Sequence, residues 1–442
     1  MGFDIWSCIK NVWYQVIDYI QFKMKLVHYI FVIFLLLCLG CNNSDDIPSL
    51  PAENVSNYYP GQLYINTENG TLIKGKDKSD YVNCTLTIIH DSISYNFSGT
   101  GKIRGRGNTT WKWFPKKPYR IKLDQKASLM GMGEDKDWVL LANFRDPTDL
   151  MNAFAFEMGR ISSLGYTNSN RFVEVFLNEE YIGLYQLTEQ VEVDENRLNL
   201  DENGGILISM DQDDGPNGSP NATDNFSSEI YNIPSCIKHP EDLNSFKVLA
   251  IKNEFAKLES LILNGDYKQL AEAADLQTFA DFILIQELVG NVDLRRPASL
   301  YIHRDKGGKW KMGPLWDFDS GYDFDWEEMR TSHDYFISDN NLILGSNPAE
   351  LKGITEKTWF FTHLFKMPQF VRLYKQRWQS LSDKILPVAW HITRQYGELM
   401  MDALQKDIEW WEIDKNPATE IIRMENWLTR RIKLMTEVIE QL

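Results

Sequence analysis

Apolar and polar side chains alternate with a period of two over much of residues 61–123, and again in shorter runs further along the chain. Such alternation is typical of β-strands that have one face in a protein core. Two of the runs flank the short polar turn at 178–180 and therefore predict a β-hairpin. The pattern predicts strands at 63–66, 84–90, 93–97, 171–177, 181–187, 205–210, 299–303 and 309–313.

A second pattern, with apolar residues three and four positions apart, follows Asp146. Asp146 is a suitable N-cap and Pro147 suits the first helical position, so a helix is predicted from there to Ile161. The same spacing predicts helices at 242–264, 268–290, 355–412 and 417–441. Because strands dominate the first part of the chain and helices the last, the sequence predicts an α+β fold.

The N-terminus has the pattern of a signal peptide. Lys23 and Lys25 precede an apolar run at 29–40 that is too short to span a membrane comfortably. The run leads into Leu39-Gly40-Cys41, which looks like a lipoprotein processing box with Cys41 as the acylated residue. The alternative is an uncleaved N-terminal anchor.

We therefore expect residues 1–40 to be a signal peptide, with Met24 as an alternative start. Residues 41–60 are polar and contain prolines, so they are expected to form a lipid-anchored linker. These features predict an exported lipoprotein of the outer membrane, held at the cell surface through the lipid on Cys41.

Composition narrows the classes of function. The 442 residues include 46 Lys and Arg against 62 Asp and Glu, a net charge of −16, which argues against a nucleic-acid partner. After Cys41 only Cys84 and Cys236 remain, and they have no CxxC spacing. The seven His show no paired spacing either, so the sequence gives no support for a zinc site.

Residues 102–122 are strongly basic in this otherwise acidic chain, with eight Lys and Arg and no acid. Arg104 and Arg106 alternate with glycines, which allow a backbone to approach an anion closely, while Arg binds phosphate oxygens in pairs. The segment is therefore a candidate site for a polyphosphate. The alternative is a solvated basic hairpin whose Lys stems cover Trp111 and Trp113.

Three aspartates near the last predicted hairpin form a second candidate site. Asp293 precedes the strand at 299–303, and Asp317 and Asp319 follow the strand at 309–313, so carboxylates at the two ends of one hairpin can meet. Asp-x-Asp offers hard oxygen ligands that suit Mg²⁺. Phosphoryl transfer needs one Asp to orient a hydroxyl and another to hold the metal. The alternative is that all three are helix-end and turn residues.

Seven segments of the chain, taken in order, resemble signatures of the spore-coat-protein-H (CotH) family of atypical protein kinases. The resemblance spans roughly residues 60–440. The segments are Arg104-Gly-Arg-Gly-Asn-Thr-Thr-Trp111, Lys116-Lys-Pro-Tyr-Arg-Ile-Lys-Leu123, Leu129-Met-Gly-Met-Gly133, Asp137-Trp-Val-Leu-Leu-Ala-Asn143, Gly183-Leu-Tyr-Gln-Leu-Thr-Glu-Gln190, Asn291-Val-Asp293 and Trp316-Asp-Phe-Asp319.

The family resemblance implies a divergent protein-kinase-like fold, with a core over residues 61–345 and a helical C-terminal subdomain of the same unit over 346–442. It implies a kinase that uses ATP with Mg²⁺ or Mn²⁺. Its expected acceptors are proteins exported to the cell surface or the periplasm.

The resemblance also implies roles for individual residues. Asp293 would be the catalytic-loop Asp, Asp317 the metal-binding Asp and Asp319 a second metal ligand. Glu189 would be the carboxylate partner of the cation that contacts the nucleotide phosphates. The candidate phosphate-binding residues, among which the sequence does not choose, are Arg104, Arg106, Lys117, Arg120 and Lys122.

One position departs from the kinase pattern. Kinase loops place an Asn five residues after the catalytic Asp as a metal ligand, and here that position is Ala298, with Ser299 beside it. This departure keeps two alternatives open. One is a non-catalytic surface adhesin or scaffold, and the other is a pseudokinase that transfers adenylyl or glutamyl groups.

Overall fold

A computed structural model describes residues 59–211, 224–295, 298–322 and 359–442. The predicted signal peptide, the lipidation residue Cys41 and almost all of the predicted linker lie outside these ranges, and they stay predictions.

Seven strands of the N-terminal part form a closed barrel in the order β1-β2-β3-β4-β5-β7-β6. All neighbouring strands are antiparallel except β1 and β6, which close the barrel as a parallel pair. The strands are β1 (Gly61–Thr67), β2 (Val82–Ile89), β3 (Phe97–Gly105), β4 (Tyr119–Ala127), β5 (Asp135–Leu141), β6 (Asn170–Leu177) and β7 (Glu180–Glu189).

The alternation of side chains along β3 and β4 places the basic residues outside the barrel. Ile103 lies opposite Ile121 in the register, and both are completely buried in the barrel core. Because successive side chains of a strand point to opposite faces, the flanking residues share the outer face. There, two like-charged pairs lie directly opposite each other, Lys102 with Lys122 and Arg104 with Arg120.

A second sheet of five strands has the order β12-β11-β8-β10-β9. The central strand β8 is buried over its whole length. The pairing of β11 with β12 confirms the last predicted hairpin. The strands are β8 (Ile206–Met210), β9 (Asn225–Ser227), β10 (Pro234–His239), β11 (Leu300–Arg304) and β12 (Trp310–Met312).

The described helices are α1 (Thr109–Trp113), α2 (Met151–Arg160), α3 (Ser245–Asn264), α4 (Tyr267–Ala273), α5 (Leu276–Val289), α6 (Trp359–Thr362), α7 (Pro368–Ile392), α8 (Met401–Trp410) and α9 (Pro417–Gln441). Helix α5 is buried on nearly every face and packs against α2, α7, α9 and β12, as expected for a central helix. Each helix within the described ranges is too short or too polar to cross a membrane.

The prediction of an α+β fold with a β-rich N-terminal part and a helical C-terminal part is confirmed. The predicted hairpin at 171–187 is also confirmed, as β6 and β7. Its turn residues Asn178 and Glu179 both have positive φ, which is the backbone conformation of a tight hairpin turn.

Three element predictions are wrong in detail. Residues 93–95 form a 3₁₀ turn, so the strand begins only at Phe97. The predicted helix at 268–290 is two helices, because the backbone N–H of Asp275 turns aside to bond Trp310. Helix α2 begins at Met151 instead of Pro147, because the Asp146 carboxylate bonds the N–H of Thr148 as well as that of Met151 and holds a separate turn before the helix.

Candidate active site

Asp293 lies just after the central helix α5. That helix ends at Gly290 in the left-handed conformation, which redirects the chain into a 3₁₀ turn at Val292–Arg295. The backbone N–H of Asp293 donates to Oδ1 of Asn291 at 3.2 Å. The segment is therefore anchored to the most buried helix of the fold.

Asp317 lies beyond β12 in the left-handed region, with φ of 64°. Two amide side chains hold this segment in place. Nδ2 of Asn291 donates to the Asp317 carbonyl at 3.4 Å, and the Phe318 N–H donates to Oδ1 of Asn152 at 2.8 Å. Since Asn291 contacts both acidic segments, Asp293 and Asp317 lie in one region, as their positions at the two ends of the hairpin predict.

The carboxylates in this region act on one another electrostatically. Burial, and then the charges of Asp317 and Asp319, raise the pKa of Asp293 to about 8, while Arg145 opposes the shift and Asp211 adds to it. Burial and Asp319 likewise raise the pKa of Asp317 to about 6. Neighbouring negative charges thus add to the effect of burial on the pKa of both aspartates.

Two arginines face these aspartates. Arg106 comes from the loop after β3, and its guanidinium lies over the ring of Trp316 at 5.2 Å. Burial lowers the pKa of Arg106, and the charge of Asp317 raises it again. Arg145 lies 3.9 Å from Oδ1 of Asp319. Arg106 of the basic segment therefore lies at the acidic site. Arg145 lies there too, although the sequence patterns do not identify it as a candidate.

Arg104 and Lys117 are held by the backbone around the basic segment. Arg104 donates to the carbonyls of Lys76 and Gly105 and lies over the ring of Tyr81. Lys117 donates to the carbonyl of Trp111 at 2.7 Å. Lys117 also lies over the ring of Trp111 at 5.7 Å, and Lys112 lies over the ring of Trp113 at 4.7 Å, so the contacts of lysines with these two tryptophans that the alternative expects are present.

Arg120 and Lys122 share one carboxylate on the outer face of the barrel. Arg120 lies 2.6 Å from Oδ1 of Asp137, and Lys122 lies 3.1 Å from Oδ2. Glu192 lies 3.8 Å from Arg120, and burial together with Asp137 raises the pKa of Glu192 to about 8. Asp137 is thus the carboxylate partner of these two cations.

Glu189, which the family resemblance assigns to the phosphate-binding cation, has a different partner. Its carboxylate lies 2.9 Å from Arg197 and accepts hydrogen bonds from the hydroxyl of Tyr166 and the N–H of Ser169. Both members of the Glu189–Arg197 pair are buried. The cation in contact with Glu189 is therefore Arg197, which lies outside the basic segment.

Two further residues complete the acidic site, and sequence patterns alone do not identify them. Ser299 donates from its hydroxyl to Oδ2 of Asp317 at 3.0 Å, and from its backbone N–H to Oδ2 of Asp211 at 2.8 Å. The only sequence signal for Ser299 is its position beside Ala298. Asp211 follows a buried strand, which makes it resemble any strand-end aspartate.

The fit of this site to a divalent cation can be judged from its donors. No group of three or more His, Cys, Asp or Glu among the described residues forms a ready-made metal cage. Mg²⁺ is usually held by one or two carboxylates together with substrate phosphates, so a full cage is not needed. Burial and neighbouring acids raise the pKa of Asp293 and of Asp317, and these two carboxylates with Asp319 beside them fit a site that a divalent cation would neutralise.

A comparison with models of protein families shows which family the chain belongs to. A family model described as CotH kinase protein matches residues 103–435. The chain belongs to the CotH kinase family. The CotH match covers the loop that carries Arg106, the acidic site and the C-terminal helices, and it supports a kinase-like function. A comparison with curated proteins gives no match.

Proposed function

We propose that this chain is a protein kinase with a divergent kinase-like fold, which transfers a phosphoryl group from ATP with the help of Mg²⁺ or Mn²⁺. The observation that carries the proposal is the convergence of Arg106, Asp293 and Asp317, which lie far apart in the sequence but interact electrostatically in the fold. Membership of the CotH family gives independent support.

Each residue of the site has a role that follows from its chemistry. Asp317, with Asp319 beside it, holds the cation, which when bound neutralises charge on the phosphates. Arg106 and Arg145 bind phosphate oxygens, because a guanidinium keeps its charge when it is buried and binds oxygens in pairs. Asp293 accepts a hydrogen bond from the incoming hydroxyl and so orients it.

The raised pKa of Asp293 suits this role only when its neighbours are neutralised. Burial first, and the charges of Asp317 and Asp319 in addition, raise the pKa of Asp293 to about 8. Asp317 would hold a divalent cation that offsets part of the repulsion between these carboxylates, and the ionised form of Asp293 would then be favoured.

The predicted leader and Cys41 extend the proposal to an exported lipoprotein of the outer membrane surface that acts on exported proteins. ATP is scarce outside cells, so the cell would have to supply the donor to this compartment. Labelling of Cys41 by a fatty-acid probe in cells, and its loss in Cys41→Ser, tests the lipid anchor separately from the catalytic activity.

The test of the activity is transfer from labelled ATP by the purified full chain with Mg²⁺ or Mn²⁺. The proposal expects labelled protein, either the chain itself or an acceptor among exported proteins, and an intact mass that increases by one phosphoryl group. Transfer of an adenylyl or glutamyl group would give a different mass and would replace the kinase assignment. Absence of any transfer would favour a non-catalytic surface protein.

A further inference from the structure

Ser299 connects two aspartates that lie on separate segments of the chain. Its backbone N–H donates to Oδ2 of Asp211 at 2.8 Å, and its hydroxyl donates to Oδ2 of Asp317 at 3.0 Å. Asp211 directly follows β8, and Ser299 directly precedes β11, which pairs with β8 in the same sheet. The three residues therefore form one hydrogen-bonded chain that is fixed by sheet register.

The geometry also decides where the hydroxyl hydrogen goes. The Ser299 hydroxyl oxygen lies 3.3 Å from Asp211 but 3.0 Å from Asp317, and a hydroxyl has a single hydrogen to donate. Asp211 already receives the backbone N–H at the shorter distance. The hydroxyl hydrogen is thus available to Asp317, while Asp211 holds the serine in place.

Ser299 adopts an uncommon backbone conformation to make both contacts. Its φ is 55°, in the left-handed region that residues other than glycine and asparagine seldom occupy. Such positions persist when surrounding contacts hold them, and they are concentrated at functional sites. The N–H bond to Asp211 is one contact that holds Ser299 in this conformation.

We propose that Asp211 and Ser299 are positioning residues for the metal-binding carboxylate, so that Asp211 fixes Ser299 and Ser299 orients Asp317 toward the divalent cation. This inference rests on the proposed function of the same site. It gives a role to the residue beside Ala298, where kinase loops carry an Asn. With Oδ2 of Asp317 bonded to the hydroxyl, the other carboxylate oxygen would be left to hold a divalent cation.

Charge supports the inference independently of the hydrogen bonds. The negative charge of Asp211 contributes to the raised pKa of Asp293, as do the charges of Asp317 and Asp319 in the same region. Four carboxylates in one region repel one another, and a divalent cation offsets that repulsion.

The experiment measures Mn²⁺ affinity by electron paramagnetic resonance, on the full chain with a non-hydrolysable ATP analogue. Groups that hydrogen-bond a metal ligand typically contribute about 10–100-fold to metal affinity. Asp211→Ala and Ser299→Ala are each expected to weaken Mn²⁺ binding by about that factor. Asp211→Asn keeps an oxygen that can accept the Ser299 N–H, so it is expected to lose less Mn²⁺ affinity than Asp211→Ala.

Ser235→Ala is the matched control. Ser235 is buried in the second sheet, and its hydroxyl donates at 3.1 Å to the carbonyl of Ile233 instead of to a carboxylate. The control is expected to bind Mn²⁺ like the unmodified chain. Backbone amide exchange at 298–300, measured without metal or nucleotide, is expected to rise in Asp211→Ala and to stay unchanged in Ser235→Ala.

The outcomes separate the two proposals. If the unmodified chain binds Mn²⁺ and both Asp211→Ala and Ser299→Ala bind it equally well, the positioning role is wrong and the proposed function stands. If Asp211→Ala weakens binding but Ser299→Ala does not, Asp211 acts by its charge alone, and the proposal that it acts through Ser299 is wrong. If the unmodified chain binds no Mn²⁺ with the nucleotide, both proposals fail.

Discussion

Lys116 Nζ lies 2.8 Å from Oδ2 of Asp407, although 291 residues separate them in the sequence. Lys116 belongs to the basic segment before β4, and Asp407 belongs to helix α8, so the pair fastens the helical part to the barrel. Both side chains are buried, and Asp149 lies close enough for its pKa to be raised well above normal, by burial first and by Asp407 in addition. One buried lysine thus faces two acids.

Loss of this lysine should strongly destabilise the fold. Lys116→Met leaves Asp407 buried without its cation, and breaking such a pair typically costs about 3–5 kcal/mol in the free energy of unfolding. The double variant Lys116→Met/Asp407→Leu should recover part of this loss, because it removes both charges. Urea denaturation measures all three proteins. Lys415→Met, at an exposed position, is the control and should change stability by less than about 0.5 kcal/mol.

Loss of Arg106 should lower kcat/KM for ATP far more than loss of a neighbouring cation of the basic segment. Arg106→Met removes a guanidinium next to Asp317 and should lower kcat/KM for ATP by about 100-fold, which is typical for the loss of one charge-stabilising donor. Lys102→Met is the matched control, because Lys102 lies over the Tyr81 ring on the outer face of the barrel. Equal losses in steady-state kinetics of the two variants would contradict the assignment of Arg106.

Asp293 should make stability depend on pH. Burial and its acidic neighbours raise its pKa from 3.8 to about 8, so between about pH 4 and pH 8 the folded protein holds a proton that the unfolded chain has lost. The contribution of Asp293 to stability therefore falls as pH rises through this window. Asp293→Asn, which cannot ionise, should match the unmodified chain near pH 4. At pH 8 the free energy of unfolding of Asp293→Asn should exceed that of the unmodified chain by on the order of 2–5 kcal/mol.

Urea denaturation at a series of pH values without metal tests this prediction. Asp414→Asn, at an exposed position near the end of α8, is the control and should track the unmodified chain at every pH. A difference between Asp293→Asn and the unmodified chain that stays constant from pH 4 to pH 8 would show that Asp293 is already ionised in the folded protein.

The spacing of apolar residues is enough to predict most of the helices and strands, because an element with one buried face repeats its apolar positions at its own period. The hairpin at 171–187 is an example, since its two runs and its turn are neighbours in the chain. The break at Asp275 was not predictable in this way, because it depends on a bond to Trp310, 35 residues later.

The candidate site shows the same limit. The meeting of Asp293 and Asp317 could be predicted because one hairpin joins them. The partner of Glu189 could not, because Arg197 belongs to the segment between the two sheets, and no pattern there distinguishes it from a surface arginine. Arg145 and Asp211 reach the site through tertiary packing, which single-residue patterns do not record.

The central claim is that Arg106 and Asp317 bind a metal-complexed nucleotide next to Asp293, and calorimetric titration with ATP tests it most directly. The unmodified chain should bind ATP with Mg²⁺ and bind it much more weakly with a chelator present. Asp317→Asn should lose the metal-dependent part, and Asp293→Asn should keep it because Asp293 serves the hydroxyl. Binding that is equal with and without Mg²⁺, or unchanged in Asp317→Asn, would contradict the account.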